Sequence, residues 1–387
     1  MSEWKRYKLN EIASLSNGIN FDKSAYTSGV KLIGVADFKD RVYPDYGSLQ
    51  EVDSKVVRNG DYLEKGDIVF VRSNGNKELV GRCMMIDRDI PVTFSGFCIK
   101  LHLIDKNKFE PAYFNYLFRT REFKKVMTGT AVGANIQNLS QSRLGNCEIN
   151  VPNIETQREL AIIISRYDSL IENYQKQIKL LEESAQRLYK EWFIDLHFPG
   201  HENTKIVDGV PEGWEKKRLA DIAELKTGGD KPDIVSDVRT EDCAIPIFSN
   251  GTTNEGLYGF TKVPEIMEHC VTISARGSVG YTVLRRTPFV PIVRLISVIP
   301  HNAYVGYIFY YLKSTTLDSN GAAQQQITIP MIRNKEITIP SKGILEIFES
   351  QTEPIFNQID ILKDQIRHLT EARDRLLPKL MSGEIEV

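Results

Sequence analysis

Residues Gln157 to Phe193 run without glycine or proline, and apolar residues recur at Ile171, Tyr174, Ile178, Leu181, Ala185, Leu188 and Trp192. This alternation of three and four residues draws one continuous stripe along a helix. At ~1.5 Å per residue the helix extends roughly 55 Å, more than one compact domain needs, which predicts a spacer. The stripe returns near the C-terminus as Ile359, Leu362, Ile366, Leu369, Arg373, Leu376 and Leu380, each 188 residues later. A lone helix of this length is marginal in water, so the economical arrangement has the two helices lying against each other. Arg373 stands where the first copy has Ala185, which leaves the pairing imperfect or turns one edge toward something else. A coiled coil that merely holds two halves together would carry the same pattern.

The rest of the chain repeats as well. WKRYKLNEIASLSNG has Leu9, Ile12, Ala13 and Leu15 at helical spacing, which predicts a short helix with Asn10 as N-cap and Gly18 as stop. After a linker rich in Pro, Gly and polar residues, WEKKRLADIAELKTG repeats the phrase with Trp214, Leu219, Ile222, Ala223, Leu225 and Gly228, an offset of 210. Strands are expected at Gly66 to Arg72, Val92 to Ile104, His269 to Arg276 and Phe289 to Ile299, all rich in β-branched and aromatic residues. A helical phrase follows in each half, AYFNYLF from Ala112 and AYVGYIF from Ala303, and its aromatic stripe reads as core. Each half then has a polar loop, Thr128 to Ser140 and Ser319 to Ile329, and a short strand ending at Pro152 or Pro340. The first copy is longer by 22 residues, nearly all in its front half. The frame repeats while the filling differs, as two copies of one device with different targets would.

Composition excludes several classes. The formal net charge is -2, but Lys and Arg exceed Asp and Glu by 22 to 18 over residues 1–154 and fall short by 6 to 8 over residues 155–195. Residues 205–340 balance at 15 each, and residues 341–387 carry 6 against 9. A phosphate-binding surface is therefore expected on the globular parts and disfavoured on the acidic helices. No signal peptide and no run of 18 apolar residues is present, so no membrane role and a cytoplasmic location are expected. The five cysteines are scattered without a CxxC, which reads as reduced, buried thiols.

The opening VPEGWEKKRLADIAELKTG of the second half, the exit RLYKEWFIDLHFPG of the central helix, the helix preceded by a strand ending in Pro, and the terminal RLLPKLMSGEI occur in an order, and with a duplication, that resembles the specificity subunit of type I DNA restriction-modification enzymes. The resemblance covers essentially the whole chain. One departure is SKGILEIFESQTEP, which lacks the compact entry from Pro152 to Gln157 and leaves the start of the last helix open. The resemblance implies two target-recognition domains, each reading one half of a bipartite, asymmetric sequence in double-stranded DNA, with antiparallel helices setting the unread spacer. It further implies two modification subunits that bind S-adenosylmethionine and methylate adenine at N6, and restriction subunits driven by ATP with Mg. The chain itself would be non-catalytic and without a cofactor.

The fold class expected is α+β, with two duplicated α/β recognition domains at 1–154 and 214–340, spacer helices at 155–195 and 350–382, and a linker at 196–213. Base readout needs paired donors and acceptors on backbone that can approach a groove. VRSNGNK offers Arg72, Ser73, Asn74, Asn76 and Lys77 around Gly75, and its counterpart SARGSVG offers Ser274, Arg276 and Ser278 around Gly277. Ordinary hairpin turns have the same composition. The later loop offers Asn135, Gln137 and Asn138 in the first half and Gln324, Gln325 and Gln326 in the second, although a structural role suits that shared frame too. Lys5, Arg6, Lys216, Lys217 and Arg218 suit phosphates or simply solvent. Two rivals stand beside this reading. One is a metal-dependent nuclease using Asp45, Asp53 and Lys55, or a metal at His197 and His201. The other is a coiled-coil adaptor without a DNA role.

Overall fold

The computed structural model describes residues 4–38, 41–74, 79–128, 138–302, 304–315 and 326–386. It divides into two units, residues 1–175 with 363–387 and residues 176–362.

In the first unit β1 (Lys5–Lys8), the single turn α1 (Leu9–Ile12) and β2 (Ala13–Asn17) follow one another without a gap. The short helix expected over this phrase is therefore one turn only. Asn10 lies inside it, and the Lys8 N–H is satisfied by the Glu11 carboxylate at 2.9 Å. From Ala13 onward the chain is an extended strand, with Ala13 buried and Ser14 exposed. Then come β3 (Tyr26–Ile33), β4 (Gln50–Val52), β5 (Ile68–Val71), β6 (Cys83–Met85), β7 (Val92–Phe94), β8 (Cys98–Leu103), α2 (Pro111–Arg119), α3 (Arg121–Thr128), α4 (Gln141–Gly145), β9 (Glu148–Val151) and the long α5 (Ile154–Tyr189). The strands form a four-stranded sheet ordered β2-β8-β5-β6, a three-stranded sheet β4-β3-β7 and the pair β1-β9.

The second unit rebuilds this plan from β10 (Ile206–Val207), β11 (Val210–Pro211), β12 (Glu215–Arg218), α6 (Leu219–Ile222), β13 (Ala223–Thr227), β14 (Ile245–Phe248), β15 (Leu257–Thr261), β16 (Cys270–Ile273), β17 (Thr282–Arg285), β18 (Val290–Pro291), β19 (Ile296–Pro300), α7 (Val305–Ser314), α8 (Ile329–Arg333), β20 (Glu336–Ile339) and α9 (Lys342–Met381). Its sheets are β13-β19-β16-β17, β15-β14-β18 and β12-β20, the same orders in the same chain sequence, with the hairpin β10-β11 in addition. In each unit the middle sheet holds one parallel pair, β3 with β7 and β14 with β18. The duplication seen in the sequence is thus a duplication of topology.

Two expected strands break. Val92 to Ile104 becomes β7 and β8, and Phe289 to Ile299 becomes β18 and β19, with the chain changing sheets at Ser95–Phe97 and at Ile292–Leu295. Their apolar composition is continuous because both sides of each break are buried, so composition alone could not show it.

The aromatic phrase of α2 is core, as expected: Tyr113, Phe114, Tyr116 and Phe118 are at most 1% exposed and share a cluster with Phe70 and Ile99 of the sheet. Burying each such ring contributes roughly 1.5–3 kcal/mol. Gln157, 1% exposed, explains the compact entry to α5. Its Nε2 donates to the Pro152 and Lys108 carbonyls at 2.8 and 3.0 Å, and its Oε1 accepts from Glu110 N–H. The counterpart 188 residues on is Leu345, also 1% exposed, so the second unit closes the same corner with an apolar side chain.

The last helix starts at Lys342 rather than near 350, and it continues through Pro354. Burial of Leu345, Phe348 and Phe356 on one face holds this stretch helical despite the proline. In the first unit Leu160, Ala161 and Ile164 of α5 share a core with Leu376, Leu377, Leu380 and Met381 of α9. In the second unit Ile178, Leu181, Ala185, Leu188 and Trp192 share one with Phe356 and Ile359. The remaining seam positions Ile171, Tyr174, Leu362, Ile366 and Leu369 are buried or half-buried. Arg373 is also inside the seam: its guanidinium meets the Asp168 carboxylate at 2.6 Å, the two side chains being 15% and 14% exposed. Among the described residues no helix is long and apolar enough to cross a membrane.

Glu349 of α9 accepts from Tyr307 N–H at 2.9 Å and Gly306 N–H at 3.4 Å, at the N-terminus of α7. Burial outweighs these donors and pushes its carboxyl up to about 7. A raised carboxyl means the folded chain binds a proton that the unfolded chain releases near 4.5, so this contribution is complete at low pH and is lost as pH rises from about 4.5 to about 7. Glu349→Gln is expected to remove that pH dependence. Urea midpoints at pH 5.5 and 8 should converge for the variant and differ for the unaltered chain.

Candidate nucleic-acid interface

The two loops singled out in each half come together. In the first unit Leu139 N–H donates to the Arg72 carbonyl at 2.8 Å, and Ser73 pairs with Asn138 in an antiparallel bridge. In the second, Ile327 N–H donates to the Ala275 carbonyl at 3.0 Å, and the Arg276 guanidinium reaches Gln326 Oε1 at 3.4 Å. The same backbone bond, made at the end of β5 and of β16, closes both junctions.

A third segment joins them, and sequence reasoning missed it. The turn Ser95–Phe97 lies beside Arg72, whose N–H donates to the Phe97 carbonyl at 2.8 Å. Ser73 N–H adds a second bond to that carbonyl at 3.3 Å. In the second unit the corresponding contact runs through a side chain: Asn250 Oδ1 accepts from Ala275 N–H at 2.7 Å, and its Nδ2 donates to the Val293 carbonyl at 2.6 Å. The Asn250-Gly251 dipeptide was the available sequence signal for a special turn there. Val293 and Arg294 hold φ of 55° and 62°, a left-handed conformation that non-glycine residues adopt at a cost.

Sheet register fixes which residues correspond. β5 pairs Val71 with Cys98, while β16 pairs Ile273 with Ile296, and both units set the strand after the turn against β2 or β13. Counting along the ladders places Arg72 opposite Ala275 in the duplication, and Ser73 opposite Arg276. Arg72 and Arg276, which stand in matching motifs of the sequence, are therefore not counterparts. Arg72 is half-buried and turns its guanidinium toward the Gly96 carbonyl at 3.5 Å, whereas Arg276 is exposed.

The Ser95–Phe97 turn beside the first junction and Arg276 of the second each line a cleft. In the first unit it measures about 770 Å³ and is walled by Phe21, Tyr26, Lys23, Arg41, Asp37 and Phe97 among others. In the second it measures about 490 Å³, with Lys231, Tyr258, Arg276, Arg294 and Asp230 on its wall. Among these named groups the first cleft balances two cations against a carboxylate and Asp45, while the second has three cations against one carboxylate. The second is the better electrostatic match to a phosphate backbone, although its unit has the lower net charge by sequence.

Not every candidate is at a junction. Ser274 is 1% exposed and faces the interior, which removes it from any surface contact. Ser278 is exposed in the turn following Arg276, and Asn74 closes the described part of its loop. Lys216 and Lys217 are exposed on β12, in the separate two-stranded sheet, with Lys217 paired to Glu215 at 2.9 Å. Lys5 and Arg6 lie on β1 in the matching pair, where Arg6 binds Glu148. Asn76, Lys77, Asn135, Gln137, Gln324 and Gln325 lie outside the described residues.

The carboxylates of the nuclease reading have local partners. Asp45 is bound to Arg41 at 2.7 Å, which holds its carboxyl below the usual range, and Asp53 caps a short turn by accepting from Lys55 N–H. His201 Nδ1 lies 2.9 Å from the Phe198 carbonyl. Among the described residues no three His, Cys, Asp or Glu side chains are grouped to hold a metal ion.

Comparison with known proteins bears on the whole arrangement. The type I restriction modification DNA specificity domain matches the chain twice, at residues 1–183 and 211–371. The MjaIX specificity subunit of Methanocaldococcus jannaschii, a type I restriction enzyme component, is 30% identical over 311 residues, covering 74% of this chain and 72% of its own. The HindI specificity subunit of Haemophilus influenzae is 23% identical over an alignment covering all of both chains. The crystal structure of a type I restriction-modification S subunit from M. genitalium shares the fold, with a TM-score of 0.59 over 98% of this chain and 96% of that one at 17% identity.

Proposed function

The chain belongs to the type I restriction-modification DNA specificity family, and from that premise we propose that each unit reads one half of a split, asymmetric target in double-stranded DNA. As a member of that family the chain is the non-catalytic component that supplies sequence specificity, with no cofactor role of its own. Modification subunits carrying S-adenosylmethionine methylate adenine at N6 at the site this chain selects, and restriction subunits using ATP and Mg cleave unmodified DNA. The long helices set the unread spacer, and their acidic surfaces carry the partner subunits.

What supports this division of labour is the repeated junction. One backbone bond, from Leu139 to Arg72 or from Ile327 to Ala275, holds two polar loops together in each unit, while the side chains there differ. A repeated scaffold with exchanged contacts is what two addresses on one device require. Exposed Arg276, with Gln326 fixing its guanidinium, is the leading base reader of the second unit.

Arg276→Ala, assembled with the modification subunits, is expected to lose about 1–3 kcal/mol of discrimination at one base pair of one half-site, with the other half unaffected. Competition binding against single-base variants reads this directly. Uniform weakening on all sequences would make Arg276 a phosphate contact. Binding of the unaltered complex should also fall steeply with salt, because phosphate contacts release counterions. A flat salt response would favour the adaptor reading.

A further inference from the structure

Phe97 is 62% exposed, a large apolar ring in the turn between β7 and β8 that bonds to Arg72 and Ser73 of the first unit. An isolated exposed apolar residue is ordinary; an exposed ring on backbone this constrained is not. The Phe97 carbonyl accepts from Arg72 N–H and Ser73 N–H, Gly96 N–H donates to the Ile19 carbonyl at 2.7 Å, and Cys98 N–H closes the turn on Ser95 at 2.9 Å. The Arg72 guanidinium, 3.5 Å from the Gly96 carbonyl, braces the same turn from the side. The ring therefore cannot fold back by collapse of its own loop. Behind it the cleft is walled by Phe21 and Tyr26, packed edge to face with centroids 5.2 Å apart, and Tyr26 is itself 47% exposed.

We propose that Phe97 is an apolar wedge that enters the base stack of the half-site read by the first unit, with Arg72 as its positioning residue rather than a base reader. Rigid apolar side chains inserted between base steps unstack them and bend the duplex, so sequence is selected by how readily a step opens. The second unit presents Val293 and Arg294 at the equivalent turn, and no aromatic ring. Unstacking by this chain's own side chains is accordingly confined to one half of the target. This rests on the reading that the first unit binds DNA, and the test separates the two.

The experiment places 2-aminopurine at successive positions of both half-sites, leaving out the adenines that the modification subunits methylate and the bases beside them, because a methyltransferase takes its target base out of the stack, and measures its fluorescence on binding of the complete modification complex. The expected result is a several-fold rise at one position of the first half-site and none in the second. Phe97→Ala should abolish the rise and Phe97→Leu should keep part of it; Phe97 is exposed enough for both variants to fold normally. Arg72→Lys should reduce the rise without shifting its position. A rise that persists in Phe97→Ala, or specific binding with no rise anywhere, overturns the wedge while leaving half-site reading intact. Sensitivity to replacing a thymine by uracil, without any rise, would likewise overturn it in favour of a methyl contact. Failure of the unaltered complex to prefer any split target would instead overturn the underlying reading.

Discussion

Replacing Arg373 by alanine is expected to lower the stability of the first unit by about 3 kcal/mol, because it strands the Asp168 carboxylate in the helix seam. The guanidinium lies 2.6 Å from Asp168 Oδ1 and 2.8 Å from Asp374, and only the latter faces solvent. Asp168 also faces the core: burial first, and then its charge, push the Tyr116 hydroxyl far above the ordinary phenol range. The duplication supplies the control. Positions 168 and 373 correspond, at the offset of 188, to Phe356 and Ala185, which share the core of the second unit. Combining Asp168→Phe with Arg373→Ala transplants that apolar solution. The double variant is expected to recover most of the loss, since replacing both members of a buried pair is often neutral where removing one is not. Hydrogen exchange along residues 154–175 and 363–381 distinguishes the cases. Equal protection in Arg373→Ala and the unaltered chain would show that solvent already screens the pair.

Gly18→Ala is the second substitution expected to act strongly, at about 3 kcal/mol, through overpacking rather than charge. A Cβ at Gly18 would stand 2.3 Å from the carbonyl oxygens of Phe94 and Ser95, both backbone atoms without a rotamer to yield. The strain falls on the turn that presents Phe97, so affinity for the first half-site should drop beyond what lost stability explains, with the second half-site unchanged. Gly228 occupies the same place in the other unit, where a Cβ would meet Pro291 and Ile292 backbone at 2.6 to 2.7 Å. Gly228→Ala should therefore give the mirror result. Gly60→Ala, with nothing within 4 Å, is the neutral comparison. Equal loss at both half-sites in either variant would point to global unfolding instead.

These glycines illustrate where the sequence was legible. Their recurrence at an offset of 210 was visible, but they read as helix stops, because a glycine after a helical spacing has that meaning more often than close strand approach. The seam and the aromatic helices could be read because burial imposes a period on composition, whereas the polar loops were legible only by their donors and acceptors and their convergence was not. Arg373 broke that period, and only its partner Asp168, 205 positions away in the chain, explains why a charge belongs there. The turns at 95–97 and 292–294 were hidden because the strands on either side are equally apolar. The correspondence of Arg276 with Ser73 rather than Arg72 is a matter of sheet register, which a single residue shift decides and composition does not encode.

The most direct test is a base-resolution map of N6-methyladenine in cells carrying the partner methyltransferase, with this gene present, absent, or with residues 214–340 exchanged for those of a relative. The expected result is one split, asymmetric motif that disappears without the gene and changes in one half only after the exchange. A map that is the same with and without the gene, or a motif altered in both halves by exchange of one unit, would contradict the assignment of one half-site to each unit.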